Sequence, residues 1–295
     1  MLRRVLPLLF LPFAIVAAAQ TASDFATRYG DPDVERFVIR PKITLMVAYA
    51  PDRTGCQMIV QPKRPILKKD NESELIARDM VPEMLDELLP ESAKESLLTN
   101  IEQVVGCDVQ VLTTLYNVTI NASHERACHT SERGVANVLI VRKNEHCGAP
   151  PTRSDSSREV SIPQTAVDLH TRYGAPDAQR YVVRPGITLM VTYDMDEFAC
   201  QMVVEPTTSI IHHDEPAKYM RPEVVTEVLE EVLPEAERGP LILRTVTKSG
   251  CNDYENIDYQ YVTVSRFRHN CRLPNPEIEG AATITRKNLC SKGGK

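Results

Sequence analysis

The sequence predicts an α+β protein: a tandem duplication of a mostly antiparallel sheet module, each copy carrying one main amphipathic helix packed on its sheet, the whole disulfide-stabilised. Three observations predict this. The stretch from Arg28 to Pro62 returns as Arg172 to Pro206, 144 residues later (172 − 28 = 144), with R-Y-G-x-P-D-x-x-R, R-P-x-I-T-L-M-V-x-Y and C-Q-M-x-V-x-P in both copies. A fixed internal period marks a repeated structural unit. Each copy alternates period-two apolar runs with a single run of helical period. The 8 cysteines repeat as well: Cys56, Cys107, Cys128 and Cys147 match Cys200, Cys251, Cys271 and Cys290 at separations of 144, 144, 143 and 143 (200 − 56, 251 − 107, 271 − 128, 290 − 147).

At the start, Arg3 and Arg4 precede an apolar run from Val5 to Ala19 that is broken by Pro7 and Pro12 and ends in three alanines. A basic start, a short apolar segment and small residues before the cut are what export machinery reads, and the run is too short to span a bilayer. Residues 1–19 are therefore expected to be a cleaved signal peptide, and the protein to be secreted or periplasmic, with no transmembrane segment after cleavage. Residues 20–147 form the first module, 148–165 a Pro-, Ser- and Arg-rich linker, and 166–292 the second module.

Each module opens with a short helix that stops at a glycine, Phe25 to Tyr29 before Gly30 and Val167 to Tyr173 before Gly174. Strands follow from Arg36 to Arg40 and from Ile43 to Tyr49, then at Cys56 to Val60. Ile43, Leu45, Val47 and Tyr49 share one face by period two, as do Ile187, Leu189, Val191 and Tyr193. Val81, Met84, Leu85, Leu88 and Leu89 then line one face of a helix, reproduced by Val225, Val228, Leu229, Val232 and Leu233. Asp86, Glu87, Glu230 and Glu231 are expected to face water. Two closing strands are expected per module: Leu115 to Asn121 with Val135 to Arg142, and Tyr259 to Phe267 with Ala281 to Arg286. Leu97 to Val105 reads equally as helix or strand, whereas its counterpart, Leu241 to Thr247, reads as strand.

An even number of cysteines per half of an exported chain implies oxidised pairs within each half. Four cysteines permit three pairings, among which the sequence does not choose; the favoured set is Cys107 with Cys128 and Cys56 with Cys147, repeated as Cys251 with Cys271 and Cys200 with Cys290. No pair has the C-x-x-C spacing of structural zinc sites.

Losing Arg3 and Arg4 takes the formal charge from −6 to −8 (−6 − 2). So acidic a chain, without a long basic cluster, is poorly suited to nucleic acid, which binds through released counterions. The repeated arginines are the most conspicuous polar set. Arg28, Tyr29, Arg36 and Arg40, matched by Arg172, Tyr173, Arg180 and Arg184, are candidate ligand-binding residues, since planar guanidinium forks clamp carboxylates or phosphates. The competing expectation is that Asp33 pairs with Arg36 across a turn while the other arginines bind loop carbonyls. His212, His213 and Asp214 form a candidate metal cluster; the first module has Lys68, Lys69 and Asp70 at the matching positions. Tyr254, Tyr259 and Tyr261 with Arg266, Arg268 and His269 make a basic aromatic stretch that the first module lacks. Asn71, Asn117 and Asn121 stand in glycosylation sequons.

No G-x-S-x-G elbow, H-E-x-x-H pair or phosphate-binding glycine loop is found, no catalytic residue is nominated and no cofactor is expected. The expected function is an exported two-module binding or structural protein with a protein or small-molecule ligand. The alternative is an extracytoplasmic hydrolase or metal-dependent enzyme with its site in the second module or the inter-module cleft.

Overall fold

A computed structural model of the chain describes residues 20–63, 76–89, 97–105, 108–115, 118–126, 133–142, 165–208, 219–269 and 278–287. The expected signal segment, positions 148–164 of the linker, the cluster His212, His213 and Asp214, the sequons at Asn71 and Asn117, and Cys107, Cys128, Cys147, Cys271 and Cys290 lie outside the described residues.

In the first module the strands are β1 (Val34–Arg40), β2 (Ile43–Tyr49), β3 (Gly55–Pro62), β4 (Ile76–Ala77), β5 (Leu97–Val105), β6 (Asp108–Leu115), β7 (Val118–Arg126) and β8 (Arg133–Arg142). In the second they are β9 (Ala178–Arg184), β10 (Ile187–Tyr193), β11 (Ala199–Pro206), β12 (Leu241–Ser249), β13 (Asn252–Tyr259), β14 (Val262–His269) and β15 (Ile278–Arg286). The helices are α1 (Ala22–Tyr29), α2 (Met80–Leu88), α3 (Ala166–Tyr173), α4 (Pro222–Val232) and the single turn α5 (Glu235–Arg238).

The strands join one sheet in the order β12-β13-β14-β15-β11-β10-β9-β1-β2-β3-β8-β7-β6-β5, with β4 on β8. The mostly antiparallel sheet with few helices is thus as the sequence predicts. Leu97 to Val105, ambiguous by pattern, is strand β5. The expected strand over Tyr259 to Phe267 is divided: β13 ends at Tyr259 and β14 begins at Val262, because Gln260 and Tyr261 donate their N–H groups to the carbonyls of Pro240 and Arg238 instead of a ladder. β6 and β13 were not foreseen, and β13, with one buried position among eight, shows why its pattern is weak.

The modules join by edge-to-edge pairing of β1 with β9: Val34 opposes Arg180, Glu35 opposes Gln179 and Arg36 opposes Ala178. Since 34 + 144 = 178 and 36 + 144 = 180, each residue meets the copy of its partner's equivalent, and Glu35 and Gln179 (35 + 144) lie on a pseudo-two-fold axis. The internal arrangement is that of an antiparallel dimer built into one chain.

The opening helices cross this axis. Thr21 and Thr165 cap them with side chains that accept from Asp24 N and Asp168 N in reciprocal capping boxes. Phe25 of α1 is buried among Tyr181, Val191 and Tyr193 in the second module's core, while Ala166 and Leu169 of α3 are buried in the first module's core with Phe37 and Leu45. Each module's helix therefore completes the other module's core. The isolated bridges Thr21 to Phe198 and Thr54 to Thr165 anchor the two crossings equivalently (21 + 144 = 165, 54 + 144 = 198). The α2 and α4 stripes pack as expected, with Val81, Met84 and Leu88, and Val225, Val228 and Val232, buried against the sheet.

Candidate functional site

The repeated arginines and tyrosines converge on two glutamates that the helical pattern had placed in water. Tyr173 Oη donates to Glu87 Oε1 at 2.7 Å, Arg40 Nη2 donates to Glu87 Oε2 at 2.7 Å, and Arg172 Nη1 donates to the Glu87 carbonyl at 2.6 Å. The copy repeats it. Tyr29 donates to Glu231 Oε1 at 2.7 Å, Arg184 to Glu231 Oε2 at 2.6 Å and Arg28 to the Glu231 carbonyl at 3.0 Å. Glu87 and Glu231 are thus half-buried clasps that hold the crossed-over helices, which corrects their expected exposure; only Asp86 and Glu230 face water. Burial alone would raise both glutamates, but the hydrogen bonds from tyrosine and arginine outweigh it and hold them below the ordinary value of 4.5. Burial, reinforced by the same carboxylates, pushes Tyr29 and Tyr173 up to about 12.

The remaining pair of repeated arginines closes the seam between β1 and β9. Arg180 holds Asp33 with both Nε (3.1 Å) and Nη2 (2.7 Å), and Arg36 Nε reaches Asp177 at 2.8 Å. The aspartates therefore pair with the other module's arginine and not, as one expectation had it, with the arginine of their own turn. Antiparallel pairing explains this: Asp33 N–H also donates to the Arg180 carbonyl and Asp177 N–H to the Arg36 carbonyl, which brings each aspartate over the foreign strand.

On the helix-covered side of the same seam lies a network that sequence reading missed. Glu35 falls on the same strand face as the core residues Phe37 and Ile39, so period two turns it inward, and only 1% of it is exposed. Its carboxylate accepts from Gln179 Nε2 at 2.9 Å and Tyr49 Oη at 2.7 Å, and meets His170 Nε2 at 3.0 Å, with Arg53 Nη2 at 3.9 Å. Gln179 Oε1 in turn accepts from Tyr181 Oη at 2.7 Å, and Tyr193 Oη lies 3.3 Å beyond. Burial and the neighbouring carboxylate push Tyr49 far above its usual value of 10.0, and burial with the contact to Tyr181 does the same to Tyr193. The result is a hydrogen-bond chain from Tyr193 through the pseudo-axis to His170, whose side chain is 44% exposed. The repeat carries no histidine at the equivalent position on α1, Ala26 (170 − 144 = 26), and Glu197 stands where the first copy has Arg53 (53 + 144 = 197). The one signal in the sequence was Glu35 breaking an otherwise apolar period-two face, with Gln179 in its place in the copy.

A buried carboxylate within hydrogen-bond reach of one ring nitrogen orients the half-exposed imidazole of His170. Among the described residues no hydroxyl or thiol side chain hydrogen-bonds to that ring, and no cluster of three metal-ligating side chains forms.

The basic aromatic stretch of the second module is also internally engaged. Arg266 forks onto the fully buried Glu279 at 2.7 Å through both Nε and Nη2, and donates to Thr226 Oγ1 at 3.1 Å on α4. Arg268 lies 3.2 Å from Glu255, which Arg244 also contacts, and His269 stacks on Tyr219. Tyr259 lies under Arg238, and Tyr254 packs on Phe267 while remaining exposed, as does Tyr261. Asn121 sits within β7, between β6 and β8, with its Oδ1 shielded from water.

No described helix is long and apolar enough to cross a membrane. Comparison with family models, with curated proteins and with solved structures finds no match to this chain.

Proposed function

We propose that the chain is an exported, disulfide-stabilised binding or structural protein that acts as a rigid two-module scaffold and engages its ligand through its outer hairpins. The observation that carries this reading is the distribution of partners. All eight candidate ligand-binding residues of the repeat are occupied by the chain's own carboxylates and carbonyls, whereas the outer strands expose Leu97, Leu98, Ile101 and Val104 at one end and Leu241, Ile242, Leu243 and Val246 at the other. Contiguous exposed apolar residues mark interaction surfaces. The disulfide framework is supported by Cys56, Cys200 and Cys251, which are bonded through sulfur, and by the absence of a free cysteine among the described residues. The basic and then apolar amino-terminal run supports export, and outside the cytoplasm such bonds persist.

The test compares capture from the host's extracytoplasmic fraction by the mature protein and by an Ile242→Asp, Val246→Asp variant. A ligand retained by the first and lost by the second is expected; a ligand retained equally by both would refute the outer-hairpin surface. The hydrolase reading is favoured by one observation, the Glu35–His170 dyad at the seam. Activity on a substrate panel that His170→Gln abolishes without lowering the melting temperature would replace the binding reading.

A further inference from the structure

β5 and β12 are the outermost strands of the sheet among the described residues and are equivalent in the repeat (97 + 144 = 241). An edge strand presents unpaired backbone donors and acceptors, and natural proteins blunt such edges with charge, lysine above all. β12 carries Arg244 and Lys248. β5 carries no cation, only Glu102, and exposes Leu98, Ile101 and Val104 by 57%, 53% and 59%.

The two edges differ when each is laid antiparallel, in full overlap, against a second copy of itself. β12 then centres on Thr245, with Ile242 opposite Lys248, Leu243 opposite Thr247 and Arg244 opposite Val246, so each of these aliphatic side chains meets a polar or charged one. β5 centres on Ile101, which meets its own copy; Asn100 meets Glu102, Thr99 meets Gln103, and Leu98, at the bulge that begins the strand, meets Val104. Directly opposed aliphatic pairs stabilise antiparallel strands and misplaced charges do not. Head-to-tail pairing of β5 with β12 matches Glu102 to Arg244 but sets Ile101 against Thr245 and Leu98 against Lys248, so it satisfies less of the apolar edge. The chain's own centre uses the self-paired construction, where equivalent strands β1 and β9 join antiparallel about Glu35 and Gln179.

We propose that β5 is a homodimerisation edge: two copies of the chain pair β5 to β5, antiparallel and in full overlap, with Ile101 on the two-fold axis and one sheet running through both subunits. Assembly closes at two because β12, with its cations opposed to apolar residues, does not pair with itself. The inference goes beyond the scaffold reading and needs no other ligand.

Sedimentation equilibrium of the mature full-length chain over a hundredfold range of concentration tests it. A monomer–dimer equilibrium is expected. Ile101→Lys, which sets two ammonium groups face to face at the axis, should raise the dissociation constant at least tenfold, while Thr245→Lys, the equivalent change on β12, should leave it unchanged. Ile101→Cys should give a covalent dimer on mild oxidation. If lysine at 101 lowers the melting temperature, Ile101→Thr, which keeps strand propensity, carries the same comparison. A single-chain mass at every concentration, open-ended polymers, or association that Thr245→Lys abolishes and Ile101→Lys does not would each overturn the proposal.

Discussion

The two modules are nearly interchangeable in the clasps and aspartate–arginine pairs of their seam, the Glu35 network apart, and unlike beneath their main helices. At the seam, the clasps on Glu87 and Glu231 use the same residue types at the same spacing. In the second module, however, buried Glu255 and Glu279 are met by the partly buried Arg266 and Arg268, where the first has Val111, Ala122, His124 and Val135, each 144 positions earlier. The registers agree: Arg268 opposes Glu279 on β14 and β15 as His124 opposes Val135 on β7 and β8, with a bulge at the same point. One backbone therefore tolerates either an apolar or an ionic filling. A symmetric joint constrains both copies together, because each supplies half of the other's contacts, whereas a module's interior answers only to itself.

Breaking the ionic filling should have the largest effect. Glu279→Ala strands the Arg266 guanidinium and should destabilise the protein by about 3–5 kcal/mol in thermal unfolding. Installing the first module's pair, Glu279→Val with Arg266→Ala, should recover most of that loss. A double variant no more stable than the single one would show that the second module needs its charges.

Truncating the crossed-over helices comes next and probes the joint. Phe25→Ala removes a ring that packs on Tyr29, Tyr181 and Tyr193, and should cost about 3–5 kcal/mol; Leu169→Ala should cost about 2–5 kcal/mol. Because the helices are exchanged, hydrogen exchange should accelerate in β9 to β11 for Phe25→Ala and in β1 to β3 for Leu169→Ala. Acceleration in the module of origin instead would contradict the exchange.

The clasps predict a smaller, pH-dependent effect. Glu87 and Glu231 are held below 4.5, so their contribution is present above that value and is lost as pH falls through the lower folded value. Tyr29 and Tyr173 are raised from 10.0 to about 12, so their contribution is lost between those values as pH rises. Melting temperatures measured across both ranges should fall at each end. Glu87→Gln with Glu231→Gln should flatten the acid limb, by on the order of 1 kcal/mol per clasp.

The smallest expected change uses a difference in the first hairpin turn. Lys42 holds φ 67° where its equivalent is Gly186 at φ 77° (42 + 144 = 186). A left-handed backbone strains a residue with a Cβ, so Lys42→Gly should stabilise by up to about 1 kcal/mol, read by chemical denaturation. Destabilisation would mean that the lysine side chain contributes more than the strain.

The duplication, the antiparallel strands and the helix stripes were legible because each is written in local spacing. Ile43, Leu45 and Val47 alternate, Val81, Met84 and Leu88 recur by helical period, and all six are buried as that predicts. The site was legible only as an inventory. Arg28, Tyr29, Arg172 and Tyr173 stood out by repetition, but a pattern read along one helix assigned Glu87 and Glu231 to water, since it holds no trace of the module's own first strand or of the helix that arrives from the other copy. Glu35 was overlooked for the same reason: its partners Tyr49, His170 and Gln179 are scattered along the chain.

By itself, then, the sequence determined that one unit occurs twice, most of the strands and helices that compose it and which of their faces are apolar, because side-chain periodicity reports the local backbone. Only the tertiary structure decided that the two units share a sheet and exchange helices, and that the repeated charges bind one another across the seam. Those contacts depend on which edge of one copy meets which edge of the other, and local spacing carries no record of that choice.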